Sequence, residues 1–198
     1  MTSVAASRPA RERLLAAAGE LFYESGIAVT GVDAVLTRAA VSPATMYAHF
    51  AGKDGLVAAY LQQRHEEWRR AWDDVLSERR DPVDRLLSVF DAVARYRERA
   101  GSRRGCGFLA AATELPAGHA GQRWLDADSQ LLTDRLRDLA AEAGVDDPDD
   151  VAATLLLLYD GALNRFARAA TTPGLPADDP LVRARRLAAL HVRAARSG

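Results

Sequence analysis

Very little in this chain suits export, membranes or metal chemistry. Cys106 is its one cysteine in 198 residues, which excludes an internal disulfide framework and suits a reducing, cytoplasmic setting. Its plain reading is a small buried hydrophobe; the alternative is a redox-sensing thiol, though no resolving cysteine accompanies it. His49, His65, His119 and His191 are scattered and pair with no cysteine or second histidine at ligand spacing, so no metal site or cofactor is expected. No apolar run approaches the length of a membrane span. Met1–Ser7 has neither a basic start nor an apolar stretch, so no secretion signal is expected. Lysine is nearly missing too: Lys53 is the only one among 26 basic residues, a bias toward Arg that a GC-rich genome produces. The formal net charge of −1 supplies no general pull toward polyanions. Near the front, Arg8, Arg11, Arg13, Arg38 and Lys53 are matched by Glu12, Glu20, Glu24, Asp33 and Asp54. Composition therefore makes no case for a nucleic-acid partner; only a motif can. Catalysis fares no better, since no nucleophile–base pair, metal cluster or phosphate-cradling loop is present.

What the chain does have is helical periodicity and ample material for a core, with 48% hydrophobic residues. No segment alternates as a strand does and no repeat appears, so the expected fold is all-α with roughly nine helices. The most informative stretch is Thr30–Phe50, TGVDAVLTRAAVSPATMYAHF, in which two short helical patterns sit back to back across Ala39–Ser42. Thr30 followed by Asp33 reads as a capping signature for the first, whose apolar face is Val32, Val35, Leu36 and Ala39. Ser42 as N-cap and Pro43 at the first helical position open the second. Met46 and Phe50 turn this second helix inward, leaving Ala44, Thr45, Tyr47 and His49 pointing away. So short a helix, with so little to bury, suits a DNA major groove.

These residues carry a family resemblance. The segment from about Arg11 to Tyr60 resembles the tetracycline-repressor (TetR) family of bacterial transcription regulators. Its most specific part is Val41-Ser42-x-x-Thr45-Met46-Tyr47-x-x-Phe50-x-x-Lys53, with Gly26 and Thr30 upstream at the family's spacing. Farther on, RGCGFLAAATELP (Arg104–Pro116) is similar to one common subgroup of the family's ligand domains. The resemblance implies a three-helix helix-turn-helix DNA-binding domain over residues 1–52. A larger ligand-binding and dimerisation domain would follow over residues 53–198, with the helix from 53 bridging the two. It implies a repressor that holds a near-palindromic operator as a homodimer and is released by a small effector, which the aromatic residues of the larger domain suggest is mostly apolar. Two rivals remain: the same head controlled by a protein partner or by nothing, and a helical enzyme. One position departs from the pattern, since the family's hinge usually carries Gly where this chain has Ala40. An L-residue in a left-handed turn costs roughly 1–2 kcal/mol, so a different hinge conformation is expected.

In order, the pattern predicts helix 1 to about Ser25 on Leu14, Leu15, Ala18, Leu21 and Phe22, with Gly26 as its stop. A long fourth helix should start after Gly52 and carry Trp68 and Trp72 to about Ser77. Others follow: from Asp81-Pro82, from Cys106 to Leu115, from about Gly121 to Ala143, about Asp149–Ala170, and Leu181 to about Arg196. The last should turn Leu187, Ala188, His191 and Ala194 to one side. The final two helices are the expected dimer interface, with Asp160 and Asn164 as candidates for bonds across it. Met1–Ser7 reads as a loose arm, and Pro173–Pro180 as a loop.

The candidate DNA-binding residues are Thr30, Thr37, Ser42, Pro43, Ala44, Thr45, Tyr47, His49 and Lys53. The resemblance assigns Tyr47 to a phosphate; partial burial against helix 1 is the alternative. Lys53 is either a phosphate contact or a solvated surface lysine. Thr30, Ser42 and Thr45 place hydroxyls at helix N-termini, where backbone N–H groups also face anions. Pro43 and Ala44 offer apolar contact suited to a thymine methyl, so part of any specificity should come from DNA shape. For the effector, Trp68, Trp72, Phe90, Phe108 and Trp124 are candidate cavity residues, with Thr113 and Glu114 as polar contacts. Aromatics at helical spacing are more often plain core than cavity lining.

Overall fold

The computed structural model describes residues 8–99, 105–169 and 179–196. The expected arm at Met1–Ser7 and nearly all of the Pro173–Pro180 loop lie outside them. Nine helices and no strand occur among the described residues. They are α1 (Ala10–Ser25), α2 (Val32–Ala39), α3 (Pro43–His49), α4 (Lys53–Ser77), α5 (Pro82–Arg99), α6 (Gly107–Glu114), α7 (Gln122–Glu142), α8 (Pro148–Ala169) and α9 (Pro180–Ala194). Two compact units divide the chain. One comprises Met1–His65 with Gly107–Ala127, the other Glu66–Cys106 with Asp128–Gly198.

The first unit closes around Leu14, Ala18, Phe22, Val35, Leu36, Met46, Phe50, Val57 and Leu61, all buried. Met46 is fully buried and Phe50 is 5% exposed, so each contributes about 1.5–3 kcal/mol of transfer free energy that holds α3 to the rest. Phe22 meets Tyr60 edge-on at 5.4 Å. Residues Gly107–Ala127 bring Ala111 and Leu125 into the same core.

Two local expectations are corrected here. Ala40 adopts the left-handed conformation after all, at φ 51° and ψ 52°. The Val41 N–H donates to the Leu36 carbonyl at 3.1 Å and the Ala40 N–H to the Thr37 carbonyl at 3.3 Å. This is a Schellman closure, whose two bonds satisfy carbonyls that α2 would otherwise leave open and so offset the cost of the missing glycine. The second correction concerns Thr30. The N-cap of α2 is Gly31, with no side-chain cap bond. Thr30 is 5% exposed and its hydroxyl donates backward, to the Gly26 carbonyl at 2.6 Å and the Leu21 carbonyl at 3.4 Å. It ties the end of α1 rather than the start of α2.

In the second unit, α5, α8 and α9 enclose Trp68, Trp72, Phe90, Val93, Leu136, Leu155, Tyr159 and Leu163. Trp72 is fully buried and its indole N–H donates to the Ser88 hydroxyl at 3.0 Å, so neither polar group is orphaned. The inward stripe of α9 is Leu181, Ala184, Ala188 and Val192. Leu187 and Ala188 do not share one side as expected: Ala188 is buried whereas Leu187 is 45% exposed, because the helix is rolled so that its small residues approach its neighbours, with which it packs most closely along α8.

Candidate nucleic-acid interface

The site is built on α3. Its seven residues are held by a cap at one end and two apolar anchors on one side. Ser42 accepts the Thr45 N–H at 3.2 Å, and the two hydroxyls lie 2.9 Å apart. Pro43 occupies the first turn, where a missing N–H costs nothing. The C-terminal end closes when the Phe50 N–H donates to the Met46 carbonyl at 2.9 Å. With Met46 and Phe50 buried, the opposite side carries Pro43, Ala44, Tyr47 and His49, all exposed. Tyr47 is 61% exposed. Its ring therefore stands mostly in solvent rather than in the core of the first unit.

Beyond α3 the chain turns at Gly52, whose φ of 102° favours glycine. Lys53 then opens α4. Its ammonium donates to the Ala28 carbonyl at 3.2 Å, which leaves two N–H donors for another acceptor. Thr37 is exposed on α2, and Thr45 is partly buried behind Ser42. Of the nine candidates, the structure therefore brings Ser42, Pro43, Ala44, Thr45, Tyr47 and His49 together on one short element. Lys53 follows it after a tight turn, and Thr37 sits on the preceding helix. Thr30 is placed differently: buried, with its hydroxyl turned to carbonyls of its own chain. Arg11, which in the sequence stands only among the balanced charges near the front, is placed beside α3. Its guanidinium lies 5.6 Å from the centre of the Phe50 ring, a through-space contact that helical spacing does not encode.

The candidate effector aromatics belong to two cores. Trp68, Trp72 and Phe90 belong to the core of the second unit, whereas Phe108 and Trp124 pack on that of the first. Trp68 stacks on Trp72 at 5.5 Å and meets Tyr96 at 5.9 Å and Tyr159 at 6.2 Å. Its buried indole N–H finds no acceptor among the described residues. Nearby acids feel this environment. Burial, then the neighbouring Asp128, raises the carboxyl of Asp160 above its ordinary value. Burial also pushes the Tyr159 hydroxyl well up, with Cys106, Asp128, Asp160 and Tyr96 adding to the effect. Thr113 donates to the carbonyl of Ala110 at 2.8 Å. Glu114 accepts the Ala28 N–H at 2.7 Å, so its carboxylate is already engaged by a loop of the first unit.

A trihelical unit that buries one side of a short capped helix and exposes the other is a helix-turn-helix module, a class that reads DNA through its second helix. Comparison with known proteins narrows the class. The family model for bacterial regulatory proteins of the tetR family matches residues 14–60. The HTH-type transcriptional regulator UidR of Escherichia coli K12 is 33% identical over 83 residues, covering 42% of this chain and 39% of UidR. The chain thus matches about two fifths of that relative's length. Among solved structures, the TetR-family transcriptional regulator SCO4454 from Streptomyces coelicolor superposes with a TM-score of 0.81 at 28% identity, over 95% of this chain and 96% of that one. A putative TetR transcriptional regulator, sav143, from Streptomyces avermitilis gives 0.72 at 33% identity, over 91% and 98%. This chain belongs to the TetR family.

Proposed function

We propose that the chain is a dimeric, effector-responsive regulator of transcription that represses by holding a near-palindromic operator. The observation that carries this is α3 itself: Tyr47, His49, Ala44 and Pro43 stand exposed on a helix anchored through Met46 and Phe50. In this reading Tyr47, Ser42, Thr45 and Lys53 meet phosphates, while Pro43, Ala44 and His49 face base edges and Thr37 approaches from α2. Thr30 supports the turn from behind. One such helix covers too little groove to be specific alone, so two copies reading half-sites one helical turn apart are required. Support for the second copy comes from α8 and α9. Leu157, Leu187 and Leu190 are 74%, 45% and 52% exposed, and an open groove of about 380 Å³ runs between Leu157, Gly161, Arg183 and Leu187. An apolar face of this kind is what a self-complementary helical interface buries.

The effector would be a small, mostly apolar molecule at the Trp68–Trp72 cluster, with an acceptor for the Trp68 indole N–H. To weaken operator binding about a hundredfold it need prefer the released state by only about 2.7 kcal/mol. A cytoplasmic setting follows from action on the genome. The test is selection of bound duplexes from a randomised library, then footprinting across a salt series. A two-fold-related site protected by a dimer, with affinity falling steeply as salt rises, is expected. A single asymmetric half-site held by a monomer, or binding indifferent to salt, would overturn the reading.

A further inference from the structure

The loop between α1 and α2 is pinned from outside the three helices that read DNA. Ala28 lies at its centre, and both ends of its backbone are held by charged side chains. Glu114, at the last position of α6, accepts its N–H at 2.7 Å; Lys53, at the first of α4, donates to its carbonyl at 3.2 Å. A carboxylate on the N–H and an ammonium on the C=O make both bonds charge-assisted and hence strong. Gly26 makes room for this arrangement. Its φ is 100°, and a Cβ there would come within 3.1 Å of one Glu114 oxygen and 3.2 Å of the other. Within the same loop, Thr30 closes back on the Gly26 carbonyl.

Other contacts seat the same segment on the first unit. At the start of α6, a Cβ on Gly107 would lie 3.1 Å from the Arg64 guanidinium nitrogen, so this side chain of α4 reaches the first turn of α6. Past its end, His119 takes the Gly121 N–H on Nδ1 at 2.9 Å and places Nε2 3.3 Å from the Asp54 carboxylate. Asp54 stands beside Lys53 in the first turn of α4. Residues 107–121 thus grip both the entry to α2 and the beginning of α4.

We propose that Glu114 is a positioning residue for DNA recognition: through the Ala28 peptide it sets the loop that leads into α2 and the ammonium of Lys53. This rests on the operator-binding reading above. The effect is on selectivity. A Lys53 held at one place can meet a phosphate in the register that α3 demands, whereas a released one still attracts any duplex.

The experiment compares the full chain with Glu114→Ala, Glu114→Asp and Glu114→Gln. Affinities are measured for a duplex that the wild-type protein selects from a randomised library and for an unrelated duplex of equal length, beside melting temperature. Glu114→Ala should lose roughly 3- to 30-fold on the selected duplex, the range for residues that act through others. The unrelated duplex should change less than about twofold, because phosphate attraction is retained. Glu114→Gln keeps an acceptor at the same reach and should restore most of the selectivity, whereas Glu114→Asp, one methylene shorter, should not. If Glu114→Ala fails to fold, the comparison of Gln with Asp decides. Equal losses on both duplexes, an unchanged selectivity ratio, or Asp matching Gln would overturn the proposal. Failure of the wild-type protein to select any duplex would instead sink the operator-binding reading, and this proposal with it.

Discussion

Ala40→Gly tests the hinge between α2 and α3 directly. Ala40 holds φ 51° and ψ 52°, and a left-handed L-residue costs roughly 1–2 kcal/mol. Glycine removes that cost, but its greater freedom in the unfolded chain cancels about 0.5–1 kcal/mol of the gain. The alanine methyl is exposed, so no packing is lost with it. The net expectation is a stabilisation of about 0.5–1 kcal/mol, or about 1–4 °C in melting temperature for a chain of this length. Urea unfolding followed by far-UV circular dichroism should show a higher midpoint with an unchanged slope, since neither compactness nor exposed area changes. Operator affinity should stay put, because glycine adopts the same dihedrals and leaves α3 at the same angle. Ala40→Val goes the other way. A β-branched residue at positive φ is strained, so stability and operator affinity should both fall. A lower midpoint for Ala40→Gly, or a valine tolerated as well as the alanine, would refute the left-handed hinge.

Tyr47→Phe removes a hydroxyl from an exposed side chain, so melting should barely move while operator affinity falls by about 1.5–3 kcal/mol, the worth of one hydrogen bond to a charged group. Destabilisation with binding intact would return the tyrosine to a structural role. Thr30 distinguishes a cap from an inward bond: Thr30→Ser should retain most stability. Thr30→Asp, a good N-cap elsewhere, should cost about 1–3 kcal/mol more by facing two carbonyls from a buried position; equal melts for the two would restore the cap. Asp160 has its carboxyl raised by burial and by Asp128, so the folded state binds its proton more tightly than the unfolded one. The contribution of Asp160 to stability is therefore fully present below the ordinary value near 3.8 and is lost as pH rises through the elevated one. Asp160→Asn should melt higher than wild type at neutral pH, and the difference should close as the solution is acidified below that value; a gap that widens in acid would reverse the sign.

Residues close in sequence determined most of what was legible. Ser42, Pro43, Met46 and Phe50 specify α3, its cap and its buried side from spacing alone, because a helix start and a 3.6-residue period are written within one or two turns. Helix ends came out within a residue or two for the same reason, with proline and glycine doing the punctuation at Pro82, Pro148, Gly26 and Gly52. Tertiary structure decided the rest. Thr30 looks like a cap because Asp33 follows three residues later, yet the position of α1 offers the hydroxyl the Gly26 carbonyl, and the stronger local fit there moved the cap to Gly31. Which side of α9 turns inward depended on what it packs against, since alanines and leucines line more than one side of that helix. Glu114 is the clearest case. Its partner Ala28 lies 86 residues away, and no local pattern of side chains can announce a bond whose acceptor and donor are joined only by the folding of the chain.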